Sequence, residues 1–83
     1  MNKPTTHVLK VHLEYYRPLA TREKEFELRK NDRDFKVGDI LKLKEYDHIN
    51  DRLTGCHIYR KVMYILQGGQ FGVEPGYVIM SIK

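Results

Sequence analysis

The sequence predicts a mainly β domain of about five strands with one or two short helices, curved into a small barrel. Three observations predict it. Apolar and polar residues alternate in several short runs rich in Val, Ile, Leu and Tyr. Turn signals (Asn31-Asp32, Val37-Gly38-Asp39, Gly68-Gly69, Pro75-Gly76) separate those runs at close intervals. Apolar residues recur at helical spacing in one stretch, from Leu13 towards Lys24. Closing the sheet would remove the exposed edges that separate short strands present.

Thr5 to Val11 is the first strand, with His7, Leu9 and Val11 on one side and Val8 and Lys10 on the other. In the next segment Leu13, Tyr16 and Ala20 share a helical face, as do Tyr16 and Leu19. Pro18 would block the carbonyl four residues earlier, so the helix is expected to begin late, near Tyr16 or Arg17. It would plug one end or one side of the barrel. Lys24 to Lys30 alternates as a half-buried strand, read with Phe26 and Leu28 inward and Glu25, Glu27 and Arg29 outward. Asn31 to Asp34 and Val37 to Asp39 are turns. Ile40 to Tyr46 is a strand, Asp47 to Gly55 a polar loop and His57 to Leu66 a long strand. Gln67 to Gln70 is a loop and Phe71 to Gly76 an irregular segment. Tyr77 to Ile82 is the last strand, with Val78, Met80 and Ile82 facing one way.

At 83 residues the chain is expected to be one domain, residues 1–83, with a single core. Hydrophobic residues at 41% and charged residues at 31% exclude a disordered segment. No apolar run is long enough to span a bilayer, so no membrane association is expected. The start, MNKPTTHVLK, has no apolar core of a signal peptide, and the single Cys56 has no partner for an internal disulfide. A reduced, cytoplasmic protein is the expectation. Fifteen Lys and Arg against eleven acids give a net charge of +4, compatible with an anionic partner such as RNA, DNA or a nucleotide.

The most informative stretch runs from Lys24 to Asp39. Glu27 and Arg29 lie two residues apart on a strand and are therefore same-face neighbours. Such a pair can fix a guanidinium for a phosphate or a base edge, or can be an ordinary surface ion pair. His7, His12, His48, His57 and Cys56 are scattered, with no CxxC, HExxH or close His pair, so neither a metal nor another cofactor is expected. Gly68-Gly69 lacks the Lys-Ser/Thr of a phosphate loop.

Lys24, Glu27 and Arg29, followed by Val37-Gly38-Asp39, resemble the G-x-K-x-x-E-x-R signature of the ASCH (activating-signal-cointegrator homology) domains of the PUA-like superfamily. Three further segments extend the similarity over nearly the whole chain to short single-domain ASCH-like proteins of unassigned function: His7-Val8-Leu9-Lys10, Glu14-Tyr15-Tyr16 and Gly76-Tyr77-Val78-Ile79-Met80-Ser81-Ile82. One departure is Arg22 in the place of the signature's Gly; if a positive-φ turn falls there, Arg22 must bear strain.

The resemblance implies a small PUA-like barrel with a cleft near the helix that binds RNA or a modified nucleoside. Carried over by position, the cleft residues are Lys10, Lys24, Glu27 and Arg29, with Asn31 and Arg33 as a looser extension. Lys24 and Arg29 would contact phosphate, and Glu27 would orient Arg29 or accept from a base amine. Tyr15 or Tyr16 could offer a stacking face, with Tyr16 read as core. Some ASCH proteins are amidohydrolases acting on acetylated cytidine through a lysine, a threonine and a glutamate. Lys24 would be the catalytic lysine, but Glu27 stands where the hydroxyl residue belongs and cannot be the same nucleophile. The expected function is an RNA- or nucleotide-binding module. The alternatives are that amidohydrolase, or a protein-interaction module whose partner is another protein.

Overall fold

A computed structural model describes residues 3–83. Its chain order is β1 (Thr6–His12), α1 (Leu13–Ala20), β2 (Phe26–Lys30), β3 (Ile40–Asp47), β4 (Arg52–Gln67) and β5 (Tyr77–Ile82). The five strands form one sheet in the order β1-β3-β4-β5-β2. The β1–β3 pair is parallel and the other three pairs are antiparallel.

β4 is the spine. Its first part, up to Lys61, pairs with β3, and its second part, from Val62, pairs with β5. A bulge between Val62 and Tyr64 lies at the handover, where a bulged strand bends and twists more strongly. The sheet therefore folds over itself, and Leu9, Val11, Leu41, Leu43, Val62, Val78, Met80 and Ile82 meet inside with Tyr16 and Leu19 of α1 and Phe35. The alternation expected for β1, β3 and β5 is what the strands display.

The mainly β class with one short helix is as the sequence predicts, but the barrel is not closed. β1 and β2 are the two edges of the sheet and no ladder joins them. Two guanidinium groups bridge the gap instead. Arg29 Nη2 donates to the Lys10 carbonyl and Arg33 Nη1 to the Val8 carbonyl, each at 2.8 Å. Side chains thus satisfy edge carbonyls that a neighbouring strand would otherwise take.

β2 faces the opposite way from the sequence reading. Glu27 is 3% exposed, whereas Phe26 and Leu28 are 48% and 53% exposed. The cause is the register with β5, which places Glu27 opposite Met80 and Arg29 opposite Val78. Directly paired residues share a face. Burying Val78, Met80 and Ile82 of the more apolar strand carries Glu27 and Arg29 inward and turns Phe26 and Leu28 out.

Two local differences concern the start of the helix and the start of β4. The helix begins at Leu13, directly after β1, and contains Pro18. The hydrogen bond that proline removes would end on the carbonyl of Glu14, an exposed residue open to water. At the other end, Arg60 Nη2 donates to the Leu19 carbonyl at 3.0 Å and so caps the last turn. Burial lowers the Arg60 pKa from its ordinary value, and the charge of Arg22 adds to that shift. β4 begins at Arg52, so the expected loop shortens to the turn between β3 and β4.

Candidate functional site

Arg22 has φ 67°, the left-handed region that favours glycine. The turn that it makes sends the chain from α1 into β2 and brings Lys24 beside the start of that strand. Its amide donates to the Leu19 carbonyl at 3.3 Å, while the amide of Lys24 donates to the Pro18 carbonyl at 3.0 Å. The approach to β2 is thereby tied to the helix, and the Lys24 side chain lies over the edge-to-edge gap.

In that gap is a cavity of ≈ 500 Å³, lined by residues that include Lys10, His12, Tyr15, Lys24, Glu27 and Arg29. Glu27 is its buried anchor. Its Oε1 accepts from Lys24 Nζ at 3.3 Å and its Oε2 from Arg29 Nε at 2.8 Å. Both cations are partly exposed, with 21% and 27% of their side-chain surface open. A buried carboxylate holding two cations is a positioning device: it fixes the guanidinium plane. Arg29 has committed Nε to Glu27 and one Nη2 hydrogen to the Lys10 carbonyl, and its Nη1 makes no hydrogen bond to the described residues.

The wall of the cavity is aromatic. Tyr15 is half-exposed, and the Lys24 ammonium sits 5.1 Å from its ring centroid and 5.1 Å from that of Phe26. His12 stacks near Tyr15 at 6.5 Å. Tyr16, one residue on, points into the core, where burial raises its hydroxyl pKa and Cys56 and Glu45 add to the shift. Tyr16 is the core tyrosine, as expected.

Of the six residues expected at the site, Lys10, Lys24, Glu27 and Arg29 come together. Asn31 and Arg33 do not line the cavity. Asn31 is a turn residue whose Oδ1 accepts from the Phe35 amide at 3.0 Å. Arg33 reaches the Val8 carbonyl and lines a separate hollow at the start of β1.

Two arrangements escaped the sequence reading. His12 and His48, far apart in the chain, stack with centroids 4.3 Å apart at the far end of β1, although no group of three or more metal-ligating side chains forms among the described residues. His7 and Asp39 form a buried pair, Nε2 to Oδ2 at 2.8 Å. Asp39 also accepts from the amides of Thr5 and Lys36. Burial alone would raise the pKa of its carboxyl, but the bonds from His7, Thr5 and Lys36 together lower it. The Asp of the Val-Gly-Asp turn thus latches the beginning of β1 to the beginning of β3. The signal was available in part, because His7 sits among the apolar positions of its strand and a buried His needs a partner.

Among the described residues no helix is long and apolar enough to cross a membrane. None of the curated proteins compared with the chain matches it. The family described as Domain of unknown function (DUF3850) matches residues 6–82, from the first residue of β1 to the last of β5, and the chain belongs to that family.

Proposed function

We propose that the protein is an RNA- or nucleotide-binding module of ASCH/PUA-like type that takes a phosphate-bearing ligand in the cleft between β1 and β2. The observation that carries this reading is the convergence of Lys10, Lys24 and Arg29 on one cavity walled by Tyr15. Lys24 and Arg29 contact phosphate, Glu27 holds both in place, and the Tyr15 ring stacks on the base. The cavity volume lies within the range of small-molecule sites. Titration of isotopically labelled protein with uridine 5′-monophosphate at low salt tests it. Backbone and side-chain resonances of Tyr15, Lys24 and Arg29 should shift together. Lys24→Ala should weaken binding by about tenfold or more, the worth of one charge-assisted hydrogen bond. No response in the cleft at millimolar nucleotide would refute the reading.

A protein-interaction role has its own observation. The outer face of the β2–β5–β4 half carries Phe26, Leu28 and Tyr64, all exposed; Phe26 and Tyr64 flank Ser81, and Leu28 is in register with Ile79 and Leu66. Exposed apolar surface of this kind is what a protein partner covers.

A further inference from the structure

The other half of the sheet has a different outer face. Where the register buries Leu9, Val11, Leu41 and Leu43, it turns Lys10, Lys42, Lys44 and Lys61 outward, with Tyr46, His57 and Tyr59 on the same side. No Asp or Glu occupies an outward position on these strands. Glu45 pairs with the buried Val11 and lies on the core side. Asp51, in the β3–β4 turn, accepts from the Tyr46 hydroxyl at the end of the face. The helix packs through Tyr16 and Leu19 on the opposite, core side, so no element of the described chain covers this surface.

The charge placement does not serve folding. Lys10 and Lys44 are direct register partners, an arrangement that repels. None of the four lysines has a carboxylate within salt-bridge distance among the described residues. Four of the fifteen Lys and Arg lie here, and the remaining eleven match the eleven acids of the chain. This one face therefore carries the equivalent of the whole net charge. Its cations are interleaved with rings: Lys10 Nζ is 4.9 Å from the Tyr46 centroid and Lys42 Nζ is 5.8 Å from that of Tyr59. His57 meets Tyr59 edge-on at 5.6 Å.

We propose that the outer face of β1, β3 and the first part of β4 is a platform for single-stranded nucleic acid. The lysines track the phosphates, and Tyr59, half-exposed at the centre of the lysine group, stacks on a base when Lys42 swings from its ring to a phosphate. A surface roughly 10 Å by 20 Å, from strand spacing and rise, suits a few nucleotides. Single strands fit better than a duplex, because the rings can reach only unpaired bases. The platform shares Lys10 alone with the cleft and stands or falls independently of it.

Fluorescence anisotropy with labelled twelve-nucleotide oligouridine and oligothymidine tests the proposal, over a salt series and on the whole chain. Salt-sensitive binding of either strand is expected, and the preference between them reports whether the 2′-hydroxyl is read. The triple variant K42A/K44A/K61A should flatten the slope of log K against log salt by about two, near 0.7 for each phosphate that is no longer neutralised. Tyr59→Ser should weaken binding about five- to a hundredfold and leave the slope unchanged. The triple Lys→Arg variant should restore the slope, which separates the removal of charge from a disturbed fold. Absence of binding at low salt overturns the proposal. So does binding that Lys24→Ala abolishes and the face variants do not touch, because the ligand then sits in the cleft. Equal binding of phosphatidylserine vesicles with no response to Tyr59→Ser also overturns it, since the face is then a general anion surface.

Discussion

Replacing Glu27 with Gln tests the orientation of β2 on which the cleft depends. The Glu27 side chain is 4% exposed and accepts from Lys24 and Arg29 through separate oxygens. An amide has one acceptor oxygen, and its NH2 would be forced to face a cation with no lone pair to give. A hydrogen bond to a charged group contributes about 1.5–3 kcal/mol, and breaking a fully buried pair costs about 3–5 kcal/mol. Both cations are partly open to water, which recovers some of that loss, so the expected cost is about 2–3 kcal/mol. For a domain of this size that lowers Tm by roughly 10–20 °C. Leu28→Ser is the paired control: at an exposed position it should cost less than about 1 kcal/mol, against about 2–5 kcal/mol for truncating an inward leucine. Urea unfolding and thermal melts followed by circular dichroism at neutral pH measure both. If Leu28→Ser proves the more destabilising, β2 faces the other way and the buried anchor of the cleft does not exist.

Two further outcomes follow from individual side chains. The carboxyl of Asp39 is held below its ordinary pKa, so the stability it contributes is full above the unfolded-state value near 4 and is lost as pH falls through the folded value. Asp39→Asn should therefore cost about 2–4 kcal/mol at neutral pH, and the gap between the two proteins should narrow on acid titration; a gap constant down to the acid limit would remove the latch. Arg22→Gly relieves a left-handed residue and removes a positive charge that acts on Arg60, and should stabilise the fold by about 0.5–1 kcal/mol after the extra unfolded-state entropy of Gly is deducted. A lower melting temperature for that variant would show that the Arg22 side chain contributes more than its backbone costs.

The amino-acid sequence alone determined the β class, the limits of β5 and the inward faces of β1, β3 and β5. In these strands one side is plainly more apolar than the other, so burial has a single solution. The resemblance to the ASCH signature marked Lys10, Lys24, Glu27 and Arg29, which the fold gathers into one cavity. What the tertiary structure decided is the face that β2 presents. Phe-Glu-Leu-Arg-Lys alternates with period two, and alternation states that two faces differ without stating which is inside. That choice came from β5, whose buried Val78 and Met80 bring their register partners Arg29 and Glu27 in with them. The open edge between β1 and β2, the His7–Asp39 latch and the lysine face across β1, β3 and β4 are likewise products of pairing between distant segments. Local periodicity cannot report them, because each depends on which strands meet and in what register.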